Sequence, residues 1–218
     1  MEYSIRFFRV AARFLGIARM DLHEVAEILR GLGYTITAPL PPKGFKVSIG
    51  GSGPIASKGN VVVDVNSDKM IIGVSSPEPE ECISEFVMVE KAITSRIEAL
   101  KEVYFYELLA EIEVKSNVQP IEFMKRVSSR NVIVEELSRA LGEPLFVFGY
   151  RLAREGTSPE ESEWVDIEII PSLARPRSSL YIAIVYRSRE REKVLEKGRN
   201  IRNLMNAIRK LVASSNEH

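Results

Sequence analysis

Two stretches of this chain carry the same alternation of apolar side chains, 98 residues apart. Val10, Ala12 and Phe14 in the first fall on Leu108, Ala110 and Ile112 in the second. A period of two marks a strand with one buried face. The segments downstream of the two strands also run alike. After the first, Asp21 caps a helical pattern that Gly31 or Gly33 ends. Strands are then expected at Phe45–Ile49, Asn60–Val65 and Lys69–Val74, and a helix near Glu80–Leu100. After the second, Asn117 precedes a helical stretch that runs, with a break, to Leu141. Strands at Leu145–Ala153, Glu163–Ile170 and Leu180–Tyr186 and a long helix over Arg189–Val212 complete it. Val63-Asp64-Val65 also matches Val165-Asp166-Ile167. The expected fold is therefore α+β, a pseudo-twofold duplication of a strand-helix-three strands-helix unit. Its antiparallel sheet or sheets carry helices on one face. The halves are residues 1–100 and 101–218, either separate or joined in one continuous domain.

This order of elements resembles the saddle of the TATA-box-binding protein and other folds in which helices back a curved sheet. The resemblance implies the fold alone, and no functional position is carried over from it. In such an arrangement the two first strands pair near the axis. Arg9 and Arg13 are then expected opposite Glu107 and Glu111, their sign-reversed counterparts.

Composition removes several function classes. One cysteine, Cys82, allows no disulfide framework and no thiolate metal site. No apolar run approaches the roughly 20 residues of a membrane span. The basic start MEYSIRFFRVAARFLGIARM never reaches the apolar stretch of a secretory signal, so a cytoplasmic protein without membrane contact is expected. Arginine outnumbers lysine 19 to 11 and glutamine occurs once, a thermophile-like composition.

The motifs that suggest chemistry are incomplete. IGGSGPIASKGN places Lys58 before its last glycine and a strand, not a helix, after it. It therefore reads as a hairpin loop and not a phosphate-binding loop. DVNSDK begins like a calcium loop, but its sixth and twelfth positions are Lys69 and Ser75, so it reads as a turn. Histidine occurs only at His23 and His218, with no nucleophile and acid set around either. Glu80, Glu81 and Glu85 surround Cys82 and oppose a thiolate. The same acids suit the positive end of a helix. No catalytic residue, metal or cofactor is implied, and binding is favoured over catalysis.

The strongest functional signal is charge placement. The formal net charge is zero, yet Leu173–Lys210 holds eleven Lys and Arg against three Glu, and Glu98–Glu168 holds eight against fifteen acids. Within the basic segment Arg175, Arg177, Arg191, Arg199, Arg202, Arg209 and Lys210 form a candidate phosphate-binding row along the last helix and the loop before it. Three readings are open. The row binds nucleic acid, or it pairs with the acidic middle segment or another subunit in a homo-oligomer. Alternatively, the function lies in a small-molecule or peptide pocket between sheet and long helix, lined by Phe146, Phe148, Trp164 and Tyr181.

Overall fold

The computed structural model describes residues 3–16, 20–39, 52–128 and 131–214. Among them nine strands form one antiparallel sheet, with six α-helices. In chain order these are β1 (Tyr3–Phe14), α1 (Leu22–Gly31), β2 (Thr35–Ile36), β3 (Ser52–Lys58), β4 (Val61–Asn66), β5 (Ile71–Ser75) and α2 (Pro79–Arg96). Then come β6 (Val103–Lys115), α3 (Pro120–Ser128), α4 (Val132–Leu141), β7 (Tyr150–Ala153), β8 (Trp164–Pro171), β9 (Ser179–Ser188), α5 (Arg191–Arg199) and α6 (Ile201–Ser214). The sheet order is β2-β3-β4-β5-β1-β6-β9-β8-β7, so the two alternating strands lie side by side at its centre.

Alternation decides which face becomes the core. Phe8, Val10, Ala12 and Phe14 on β1 are buried beside Leu108, Ala110, Ile112 and Val114 on β6. Val25, Ile28 and Leu29 of α1, Phe86 and Ile93 of α2, and Phe123 and Met124 of α3 join them. So do Val194 and Leu195 of α5 and Ile201 and Met205 of α6, which makes one continuous cluster. Burial of this apolar surface is the main drive for the fold. The local signals agree with it. Asp21 caps α1 by accepting from the backbone of His23 at 2.8 Å and Glu24 at 3.4 Å. Gly198 of α5 packs closely, so that even a methyl group would make its neighbours shift. A Cβ there would stand 3.0 Å from Ile83 and 3.2 Å from Phe8. No helix among the described residues is long and apolar enough to cross a membrane.

The register corrects one expectation. β1 and β6 are antiparallel, with Arg9 opposite Leu109, Val10 opposite Leu108 and Arg13 opposite Phe105. From Phe7 to Arg13 the residue numbers of each pair sum to 118, so a residue meets its counterpart 98 positions on only at Val10 and Leu108. Away from that point the counterparts separate: Glu107 lies opposite Ala11, and Glu111 opposite Phe7. Arg9 and Arg13 therefore do not oppose Glu107 and Glu111.

Other expectations shift. IGGSGPIASKGN is not all loop: Ser52–Lys58 is β3, and the hairpin turn is confined to Gly59 and Asn60 before β4. Gly59 takes φ 59°, a left-handed conformation that glycine adopts without strain. The strand expected at Leu145–Ala153 shortens to β7, and the single last helix divides at Asn200. The strand expected at Phe45–Ile49 lies outside the described residues.

Candidate functional site

Alternation along β1, β6, β8 and β9 sends every second side chain to the face away from the core. That face carries arginines matched by acids. Arg9 donates to both oxygens of Asp64 at 2.8 and 2.6 Å. Arg187 donates to Glu107 at 2.9 and 2.6 Å, to the carbonyls of Pro159 and Glu161, and lies 4.3 Å from the Phe105 ring centre. Arg151 binds Asp166 through Nε and Nη2, and Arg6 binds Glu113. Arg13 rests on Tyr104 and Phe105, 5.4 and 5.7 Å from their centres. The cations that a saddle would offer to phosphate are largely neutralised here, Arg13 excepted.

The basic row divides. Arg191 is held by Glu90 at 3.1 Å and by Glu192. Arg175 approaches Glu113 at 4.0 Å, on the acidic segment. Arg177, Arg199, Arg202 and Lys210 are exposed, with no ion-pair partner among the described residues. The side chain of Arg209 lies outside the described ones. On α6, Ile201, Met205 and Ile208 turn inward, and at about 100° per residue Arg202 and Lys210 turn outward. Counted over its full length, α6 contains no acidic residue.

A cleft lies between the outer strands and the α5–α6 corner. One cavity of about 460 Å³ is lined by Leu108, Val165, Ile167, Ile184, Ile201 and Leu204, with Tyr186, Lys197, Asn200 and Asn203 also contributing. A second, of about 400 Å³, shares Val165, Tyr186 and Lys197 and continues to Arg154, Glu163, Lys193 and Glu196. Glu163 is occupied by the Ser188 hydroxyl and the Arg189 backbone, and Lys193 by Glu190 at 2.6 Å. Lys197 has no carboxylate partner among the described residues.

A pocket between sheet and C-terminal helices thus exists, but none of the four expected aromatics lines either cavity. Phe146 and Phe148 stack edge-on at 6.3 Å in the segment after α4. Trp164 and Tyr181 alternate with Val165 and Ile182 and so belong to the other sheet face. Lys197, Asn200 and Asn203 recur at three-residue spacing, a helical-face signal that could have located the rim.

A further surface was not foreseen. α4 is well capped: Asn131 accepts from the backbone of Ile133 at 3.0 Å, and Gly142 closes the helix at φ 70°. It buries none of its residues. Val132, Ile133, Leu137 and Leu141 are 51–67% exposed, and Leu145, Phe146, Phe148 and Leu152 extend the exposed apolar surface along the chain.

The remaining motifs serve the fold. Lys58 pairs with Glu85 at 2.6 Å and lies over Tyr34, so this cation is already engaged. Asn66 accepts from the backbone of Lys69 at 2.9 Å, closing a turn where calcium ligation was excluded. Burial pushes the Cys82 thiol up to about 12, with its sulfur 3.1 Å from the Val74 carbonyl. Among the described residues no group of three or more His, Cys, Asp or Glu is arranged to hold a metal. No protein-family model matches the sequence, and comparison with curated proteins finds no relative.

Proposed function

We propose that this protein is a non-catalytic assembly protein that binds another protein chain through α4 and the segment after it. The observation that carries this reading is a capped, amphipathic helix of ten residues that buries none of them. Isolated helices of that length are marginal in water, and most helices depend on packing of an apolar face. Exposed apolar patches of this kind usually mark interaction sites. The test compares the wild type with a Leu137→Glu, Leu141→Glu variant. Mass should rise with concentration in the wild type only, and α4 amides should gain exchange protection as it does. Equal association in the two proteins would sink the reading.

A second reading has its own support. Arg199, Arg202 and Lys210, with Arg177 in the loop before β9, are exposed and without an ion-pair partner among the described residues, and α6 brings no acid to oppose them. Nucleic acid is the partner this surface suits, by charge rather than by base contacts. Binding of labelled DNA and RNA across a salt titration measures it.

We further propose that the two halves are copies of one unit, related by a pseudo-twofold axis through the Val10–Leu108 pair. In support, the sheet order mirrors about β1 and β6, with β5, β4 and β3 on one side and β9, β8 and β7 on the other. α4, after α3, has no counterpart among the described residues of the first half, and it brings the exposed patch.

A further inference from the structure

We infer that the chain covering α4 is a second copy of this protein, and that α4 of each copy docks over the cleft at the α5–α6 corner of the other. The inference rests on the assembly reading and adds to it the partner and the seat. The two surfaces complement each other in shape and charge. At about 100° per residue, Ile133, Leu137 and Leu141 fall within about 80° of one another, and Glu136 flanks them by about 60°. Residues 131–149 carry Glu135, Glu136 and Glu143 against Arg139 alone, so α4 is apolar with an acidic border, while Lys125 lies over Phe146 at the far end of the patch. The larger cavity is the inverse: its floor is Val165, Ile167, Ile184 and Leu204, and its rim holds Lys197 without a carboxylate partner among the described residues, while Glu163 and Glu196 lie in the adjoining cavity with Arg154 and Lys193. A cavity of about 460 Å³ does not enclose a helix, but it accepts apolar side chains from a helix lying across its mouth. No α4 residue lines the cleft of its own copy. In the inferred assembly the two surfaces meet between copies, and a mutual exchange of this kind closes into a twofold dimer.

The charge asymmetry of the chain acquires a role in this arrangement. The acidic stretch Glu98–Glu168 contains α4, and the basic stretch Leu173–Lys210 contains Lys197. A dimer that exchanges α4 sets one against the other without changing the net charge of zero.

The experiment is sedimentation of the full chain over a range of concentration and salt. Glu136→Lys and Lys197→Glu should each weaken the dimer roughly tenfold, and both together in one chain should restore it. Singly substituted Leu137→Cys and Asn203→Cys proteins, mixed under oxidising conditions, should form a disulfide between them, with buried Cys82 taking no part. A monomer at every concentration overturns the inference. So does a dimer in which Leu137→Cys links only to another Leu137→Cys and the charge swap has no effect; α4 would then pair with α4, and the assembly reading would stand. A dimer indifferent to Leu137→Glu overturns both.

Discussion

Single residues record the cost of placing charge on a sheet face. Glu113 is buried, and the hydrogen bond from Arg6 holds its carboxyl below the usual carboxylate range; burial opposes this and is outweighed. A carboxyl with a lower pKa folded than unfolded stabilises the fold above its unfolded value, about 4.3. That contribution is lost as pH falls through the folded pKa. Glu113→Gln should therefore flatten the acid limb of the stability curve while leaving its alkaline limb unchanged. Thermal unfolding between pH 3 and pH 7 reads this directly, and an unchanged acid limb would contradict it. Cys82 behaves in the opposite sense. Its thiol is raised to about 12 by burial, so its contribution is complete below about 8.5, the unfolded thiol value, and declines as pH rises. In the native protein at pH 8 it should resist a thiol reagent that modifies it promptly in denaturant. Fast modification of the folded chain would mean that the β1–α2 contact opens.

Elements differ in how tightly they are tied to the core, and two helix caps separate the cases. Asp21→Ala removes the cap of α1, whose Val25, Ile28 and Leu29 are in the core, and should lower global stability by about 1 kcal/mol. Asn131→Ala removes the equivalent cap of α4, which buries nothing, so dilute monomer should unfold at the same denaturant midpoint while α4 amides exchange faster. Denaturant titration with hydrogen exchange checks both; a shared loss of midpoint would tie α4 to the core. The same contrast explains what the sequence could convey. The spacing of Val10, Ala12 and Phe14 and the Asp21 cap are local patterns, and each foretold its element. A stripe such as Ile133, Leu137 and Leu141 looks the same whether it meets a core, a partner or water, so the exposure of α4 was not legible. Register was hidden for a related reason. The counterparts of Arg9 and Arg13 can be read by offset, but antiparallel pairing reverses the order of one strand. The cleft lay between: Val165, Ile167 and Ile184 alternate visibly, yet only the break at Asn200 opens the space beside them.

At the scale of the molecule, the question is which surface is left to meet a polyanion. The sheet face spends most of its arginines on Asp64, Glu107, Glu113 and Asp166, so a saddle-like grip on a duplex finds little free positive charge there. Of the basic row, Arg177, Arg199, Arg202 and Lys210 remain outward without an ion-pair partner among the described residues. Four phosphate contacts limit the slope of log affinity against log salt to about −3.6 for duplex DNA, and to about −2.8 for single strands. Binding of labelled DNA and RNA across a salt titration should therefore be weak, should not discriminate sequence, and should stay within that slope. Arg202→Glu with Lys210→Glu should abolish it, while reversal of Arg187 should disturb folding and not binding, because Glu107 and two loop carbonyls already occupy that side chain. A steeper slope would require further cations, whether Arg13 and Lys197 or paired ones that release their acids, and would extend the interface beyond this row. No binding at low salt would leave the basic surface to the second copy, where the dimer's own salt dependence should then account for it.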